Sequence, residues 1–382
     1  MQIQQISGTL NRGGWQCSLK SLSDSDELGI YQNVAVILQG AFSASFGSPR
    51  TAFNGFVQPT RTAFDVRQST TDYVARTTDG ILERGWLQGL GLADTDAVAR
   101  GHYHQWDSVT GGGAAERMTL GRIVRHILGF YDALGAPPAT NPDWVAHTNA
   151  VYHATENPHG WISLDGVETE PFDAGANPDG TMRVDQFIVR ESTNLWNTLR
   201  GIARTEFFEI WFDKFDHLHY SKHPMYLTVL PAPVMTFDSS FVAAPPIVEY
   251  RDDARIRQVR LDAFQDDGSI LHSEYPAAPV HVYGDVTRLS NVRCNDQDTL
   301  DSWSERLYNF SNRPYTVKWT APGVCGLLFD ILDRVQITYT GTDINGVHFD
   351  WAAEKFWIHD ITVTPDANFS GQTVFTLEAE NL

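Results

Sequence analysis

Two groups of histidines and one run of carboxylates are the residues of this chain whose types and spacing could do chemistry. His102-Tyr103-His104 with Asp107 nearby, and His217-Leu218-His219 with His223 beyond, each set two imidazoles at the spacing that shares one face of a strand, as in many metal sites. Thirteen histidines in 382 residues produce such neighbours by chance, and the second group sits beside Asp213 and Asp216, where a turn accounts for the polar residues. The expectation is no metal at either group. Glu206, Glu209, Asp213 and Asp216 are close enough in sequence for two of them to flank a glycosidic bond, which needs an acid and a base or nucleophile roughly 5 to 10 Å apart. With 47 Asp and Glu in the chain, a solvated turn is the simpler reading. Glu209, Asp213 and Asp216 remain the cluster on which a carbohydrate-active hydrolase would depend. Amide replacements there would abolish turnover in a hydrolase and leave a structural assembly almost intact.

Other chemistries lack their signatures. There is no G-x-x-x-x-G-K-[ST] loop to cradle phosphates, and Gly89-Leu90-Gly91-Leu92-Ala93-Asp94 ends in Asp where a dinucleotide site needs a small residue. Neither a G-x-S-x-G elbow nor an H-E-x-x-H helix occurs. Gly111-Gly112-Gly113 has no strand pattern or Lys-Ser/Thr beside it and reads as a flexible connection. The Trp and Phe residues read as core rather than as sugar platforms. No cofactor is expected.

Any such side chains must be positioned by elements that are mostly strands. Short apolar runs between Gly, Ser, Asn and Asp predict strands at Trp15–Leu19, Asn33–Leu38, Phe53–Val57, Thr62–Val66 and Asp72–Thr77. Leu120, Ile123, Val124, Ile127 and Leu128 recur at helical steps, with Thr119 as a cap. Residues 135–180 are dense in Gly, Pro, Asn and Asp and read as surface loops. Leu195, Leu199, Ile202 and Ala203 predict a second helix, capped by Ser192 or Thr193, that leads into a hairpin of Phe207–Phe212 and His217–Tyr220. The prolines of 231–247 suggest a linker and a boundary near 240. Beyond it, strands are expected near Val248, Val259 and Val280, then a helix from about Thr299 carrying Leu300, Trp303 and Leu307 on one face. Strands follow at Tyr315–Trp319, Val335–Tyr339, Lys355–Val363 and Thr373–Ala379.

Composition bounds the function. A chain of 382 residues, 42% hydrophobic and 12% aromatic, folds and has the length of more than one domain. With 28 Lys and Arg against 47 Asp and Glu, the net charge is −19, which argues against a surface built to grip phosphates or anionic lipid. The three cysteines, Cys17, Cys294 and Cys325, are far apart and odd in number, so neither a disulfide framework nor a zinc knuckle is expected, and synthesis in a reducing compartment is. The first residues lack a charged segment followed by an apolar one, and no window approaches eighteen unbroken apolar residues, so no signal peptide and no membrane span are expected.

The two ends of the chain echo one another. Asn33-Val34-Ala35-Val36-Ile37-Leu38-Gln39-Gly40 is a strand closed by Gly and followed by Phe53–Val57. Asp333-Arg334-Val335-Gln336-Ile337-Thr338-Tyr339-Thr340-Gly341 is another, followed by Phe356-Trp357-Ile358-His359.

In this order of segments the chain resembles the baseplate or tail-tip hub proteins of long-tailed bacteriophages, whose fold recurs in contractile injection machines and type VI secretion spikes. The helix Asn194–Ala203 followed by the hairpin Glu209–Tyr220 is similar to the family's helix, strand, Asp-containing turn and strand. Leu332–Ile337, Lys355–Ile361 and Thr373–Glu378 resemble the closing strands of its second tube-like barrel, and Val34–Gln39, Phe53–Val57 and Thr78–Leu82 its first barrel and exit. The resemblance implies a mainly β chain with an α+β insertion and two tail-tube-like β-barrels. These would be a first barrel over 1–95, an α+β and loop-rich region over 96–240, and a second barrel with one flanking helix over 241–382.

It further implies a homotrimer whose six barrels match a sixfold tail tube. Its partners would be the tail tube or distal tail protein, the tape-measure protein and tail fibres or spikes. Its place would be the virion tail tip, after synthesis in the host bacterial cytoplasm, with DNA passing through without specific binding. The family supplies no catalytic residues, metal or cofactor to transfer, and the loop-rich section 135–180 matches none of its motifs.

Overall fold

The computed structural model describes residues 3–10, 15–21, 33–38, 50–57, 61–64, 69–83, 103–107, 118–128, 163–170, 179–184, 186–190, 194–250, 256–265, 269–278, 285–294, 296–312, 315–342, 346, 348–364 and 371–380. Gly89–Asp94, His102, Gly111–Gly113 and the strand expected near Val280 lie outside them, as does all of 135–162.

The first half-sheet is built from β1 (Ile3–Leu10), β2 (Trp15–Ser21), β3 (Asn33–Leu38), β4 (Arg50–Val57), β5 (Arg61–Phe64) and β6 (Ser69–Arg76). It is antiparallel in the order β1-β2-β6-β4-β3, with β5 on β6, and leaves through the short helix α1 (Asp79–Leu82). The strands predicted in this region are present among the described residues, with the last two positions of Thr62–Val66 outside them. β1 was not foreseen, because Ile3–Leu10 has Gln and Ser where an alternating strand would show apolar residues. Gly55 is required at the β4–β6 crossing: a Cβ there would lie 2.4 Å from the Arg76 carbonyl oxygen.

The central part holds β7 (Tyr103–Asp107), β8 (Met118–Thr119), α2 (Leu120–Ile127), β9 (Ser163–Val167), β10 (Arg183–Val184), β11 (Gln186–Arg190), α3 (Leu195–Thr205), β12 (Phe208–Phe212) and β13 (His217–Lys222). Helical spacing places Leu195, Leu199, Ile202 and Ala203 on the buried face of α3. The cap of α3 is Asn194, not Ser192 or Thr193: its backbone is extended and its side chain accepts from Asn197 N–H at 3.0 Å. Thr119 caps α2 as expected, accepting from Arg122 N–H at 3.2 Å. The loop reading of 135–180 needs correction at 163–167. There β9 pairs in parallel with β13 and buries Val167, because the sheet edge left by the hairpin needs a partner whatever the local composition.

The second half-sheet comprises β14 (Met235–Phe237), β15 (Ala244–Tyr250), β19 (Tyr315–Pro322), β20 (Arg334–Thr342), β21 (His348–Thr364) and β22 (Gln372–Ala379). Residues 231–247 are therefore no linker. β14 pairs with β20, Arg334 donates to the Pro231 carbonyl at 2.6 Å, and the prolines of β15 are accommodated because that strand ends the sheet. Between β15 and β19 the chain leaves this sheet to form β16 (Ile256–Phe264), β17 (Ile270–Tyr275) and β18 (Asp285–Arg293), a separate three-stranded sheet covered by α4 (Gln297–Ser311).

Both halves of the internal echo fold as antiparallel pairs, β3 with β4 and β20 with β21. The chain is mainly β, as expected. The two half-sheets stand where two barrels were expected, but neither closes among the described residues. They join edge to edge through Gly8, Thr9 and Leu10 of β1 against Val363, Thr362 and Ile361 of β21. No helix among the described residues is long and apolar enough to cross a membrane.

The largest core draws Cys17, Phe53, Val57, Tyr73 and Ala75 from the first half-sheet together with Trp319, Phe356, Phe375 and Leu377 from the second. Phe237 is fully buried at its centre, with Phe241, Trp319, Phe329 and Phe375 rings within 5.8 Å of its own. Phe237→Ala should cost about 3–5 kcal/mol in urea denaturation, whereas an alanine at exposed Val234 should cost under about 0.5 kcal/mol.

Candidate functional site

The carboxylates and the second histidine group singled out in the sequence lie on or against the β12–β13 hairpin, and period-2 alternation sets which way its strand side chains point. Phe208, Ile210 and Phe212 point into the core formed with α2 and α3, while Trp211 on the other face enters the large core shared by the two half-sheets. Phe207, held at φ 58° just before the hairpin, packs into the third core against Tyr226 and Trp303. The hairpin and the residue that leads into it thus touch all three hydrophobic cores found among the described residues.

Its turn, Asp213 to Asp216, is a buried polar junction rather than a solvated loop. Asp213 Oδ1 accepts from the Phe215 and His217 backbone N–H groups at 2.8 and 2.9 Å, closing the turn. Asp216, at φ 67°, reaches across the molecule: its Oδ1 accepts from Thr78 N–H at 2.6 Å and its Oδ2 from Thr78 Oγ1 at 2.7 Å. Asn54 N–H donates to the Lys214 carbonyl at 2.8 Å, and Lys214 Nζ donates to the Leu327 carbonyl. The first half-sheet, the hairpin and the second half-sheet are tied at this one turn.

Thr78 lies on the exit from the first half-sheet, which is itself clamped. Arg76 pairs with Asp79 and with Glu83, Thr77 Oγ1 donates to Asp79 at 2.6 Å, and Asn194 Nδ2 donates to the Glu83 carbonyl at 2.6 Å. Burial pushes the Asp216 carboxyl up to about 7 against the pull of its Thr78 bonds, with repulsion from Asp79 and Asp213 adding to the rise.

Glu206 is fully buried and also committed. Its oxygens accept from Thr181 Oγ1 at 2.7 Å, from Met182 N–H at 2.8 Å and from the Tyr220 hydroxyl. Burial raises its carboxyl to about 7 although these three bonds oppose the shift. Lys222, on the same strand as Tyr220, is driven down to about 8 by burial, with its ammonium over the Trp303 ring at 5.1 Å. Glu209 pairs with Ser221 across the hairpin and is half-buried. Glu206 and Asp216 are therefore internal hydrogen-bond acceptors, not an acid and base facing a substrate cleft.

The second histidine group divides. His219 lies opposite Trp211, its ring stacked on the indole at 4.8 Å and 11°, with Nε2 3.2 Å from Asp213 Oδ2. His217 Nδ1 is farther from the same oxygen, at 3.7 Å, and His223 packs edge-on against Tyr226. Burial opposes ionisation of Asp213, but the His219 bond and the two backbone donors outweigh it and hold its carboxyl below the usual range. Burial likewise disfavours the His219 cation, and Asp213 and then Asp330 more than offset it, so His219 is raised. Asp330 joins from the segment after β19; burial, then repulsion from Asp213, lifts its carboxyl to about 7. Of the first group, His104 and Asp107 lie on β7, in register with Val189 and Gln186 of β11.

Asp330 and Thr78 escaped the sequence reading. Each is one ordinary polar residue beside a turn, and only Asp330-Ile331-Leu332-Asp333, with carboxylates bracketing a tight reversal, gave any local signal.

With this geometry in place, the chain can be set against known proteins. No family model matches it, and no curated protein is similar in sequence. Solved structures are similar in fold over nearly the whole chain. A tail protein from Neisseria meningitidis superposes with a TM-score of 0.59 at 12% identity, covering 98% of this chain and 92% of that one. The 43 kDa tail protein of prophage MuSo2 from Shewanella oneidensis gives 0.59 at 12%, covering 99% and 93%.

The fold is that of a phage tail protein. An Escherichia coli component of the type VI secretion system, described as similar to the T4 tail proteins gp27 and gp5, shares the tail-protein fold at a TM-score of 0.51 and 10% identity, covering 99% of this chain and 73% of that one. The tail-hub resemblance read from the segment order is borne out at the level of fold.

Asp216→Ala should destabilise the tail-protein fold by about 2–3 kcal/mol in urea denaturation, since it strands the buried Thr78 donors and puts a residue ill-suited to positive φ at 216. Asp216→Asn, which tolerates that backbone and keeps an acceptor, should cost about 1 kcal/mol or less. For Glu206 the folded carboxyl near 7 lies above its ordinary 4.5, so its contribution to stability is complete below 4.5 and is lost as pH rises through 7. Melts across that window should show Glu206→Gln flattening the pH dependence by about 3 kcal/mol relative to wild type.

Proposed function

We propose that this chain is a structural virion protein, the homotrimeric hub at the tip of a phage tail, adapting a sixfold tail tube to a threefold tip and forming part of the channel through which DNA leaves. The observation that carries the reading is the fold match to two tail proteins over 98% and 99% of the chain.

Three further features support it. The antiparallel pairs β3–β4 and β20–β21 sit in two half-sheets of one chain, so that three copies would present six equivalent units to a sixfold tube. β3 and β15 end the continuous sheet, each hydrogen-bonded along one side among the described residues, and edges of this length call for cover in an assembly. The net charge of −19 suits a wall past which DNA slides, since duplex DNA carries one negative charge per about 1.7 Å and a basic lumen would retain it. The tail tube or distal tail protein, the tape-measure protein and the fibres or spikes are the partners this role requires. Against the hydrolase reading stands the commitment of two of its carboxylates, since Glu206 and Asp216 already spend their oxygens on internal donors.

Single-particle electron microscopy of the concentrated protein, alone and with tail-tube protein, should show threefold rings with a channel wide enough for duplex DNA. A chain that stays monomeric in both conditions overturns the proposal. Glu209→Gln and Asp216→Asn should leave ring formation unchanged, and neither they nor wild type should release sugars from bacterial glycans.

A further inference from the structure

Asp213, His219 and Asp330 bring one ligand atom each to within 4.8 Å of one another. The three come from separate places: the hairpin turn, β13 and the segment after β19. Atoms bound to one zinc-like ion at about 2.1 Å lie at most about 4.2 Å apart, so this set closes on an ion with shifts of under about 1 Å. The His219 Nε2 to Asp213 Oδ2 distance of 3.2 Å is already close to the roughly 3.4 Å edge of a tetrahedron with such bonds.

The free valences fit as well. Asp213 spends Oδ1 on the turn N–H groups and directs Oδ2 at the imidazole. Asp330 spends Oδ1 on Ile331 N–H at 2.8 Å, and its Oδ2 has no hydrogen bond among the described residues. The imidazole is held from both sides. Trp211 stacks on one face, and Gly166 comes so close that a Cβ there would lie 2.5 Å from Nδ1. A histidine fixed in this way, with Nε2 on Asp213 and a ring nitrogen within 4.8 Å of an Asp330 oxygen, has its ring orientation set before any ion arrives. On the indole stacked over that imidazole, the buried Trp211 Nε1 has no hydrogen-bond partner among the described residues.

We propose that Asp213 Oδ2, His219 Nε2 and an Asp330 carboxylate oxygen form a binding site for one divalent transition-metal ion of the zinc class, with water completing the coordination. One imidazole with two carboxylates and no thiolate favours zinc, cobalt, nickel or manganese over softer ions and over calcium, which takes oxygen ligands alone. The ion would staple the hairpin to the second half-sheet beside the Lys214 bond to the Leu327 carbonyl. This proposal stands independently of the tail-hub reading.

The test uses the full chain freed of metal by a chelator. Titration with Zn2+ alone should show one ion bound per chain and a rise in melting temperature. Asp330→Asn and His219→Gln, each confirmed folded by circular dichroism, should weaken that binding at least tenfold and remove the rise. Independently of any variant, wild-type protein loaded with Co2+ should show the intense visible bands of low-coordinate nitrogen and oxygen ligation. Absence of stoichiometric Zn2+ binding, equal binding by the folded variants, or only the weak spectrum of hydrated Co2+ overturns the proposal. A melting loss in His219→Gln that is the same with and without Zn2+ also overturns it, and assigns the three groups to a proton-held ion pair.

Discussion

The structure depends on a buried carboxylate that accepts across the molecule. Asp216 binds Thr78 through both oxygens over a sequence separation of 138 residues, at a turn whose neighbours also bond Asn54 and Leu327. A buried acceptor of this kind contributes modestly when satisfied and costs far more when orphaned, so the first half-sheet, the hairpin and the second half-sheet are held in one arrangement rather than merely near one another. The hydrophobic cores supply most of the stabilisation. The polar turn supplies the register between them, because apolar contacts are non-directional and hydrogen bonds are not.

That division explains what two of the carboxylates singled out in the sequence, Glu206 and Asp216, do in the fold. Glu206 and Asp216 are raised toward neutrality by burial, as catalytic acids often are, yet both are ringed by donors from other elements. A perturbed carboxyl marks a functional site only when it also faces a space that a substrate can enter. Here burial is the cost of joining elements distant in sequence, and the same hairpin that joins them brings Asp330 up to His219.

The pairing of β1 with β21 makes the two half-sheets one continuous sheet, and the three-stranded sheet with α4 stands apart as an excursion from it. Where local composition and tertiary demand disagreed, tertiary demand won. β9 forms in a segment rich in turn residues because β13 offers it an edge, and β14 and β15 form among prolines because one strand pairs with β20 while the other ends the sheet.

The sequence by itself determined the element types and most of their places. Helical spacing marked α2, α3 and α4, period-2 runs marked β2 to β6 and β19 to β22, and the segment order was enough to point to a tail-protein fold. These are local signals, carried by residues within a few positions of one another. The tertiary structure decided which side chains meet: Thr78 with Asp216, Thr181 with Glu206, Asp330 with His219 and Asp213. No periodicity encodes such pairs, because a side chain's partners across a sheet depend on how whole layers pack, and that is fixed only when the cores close.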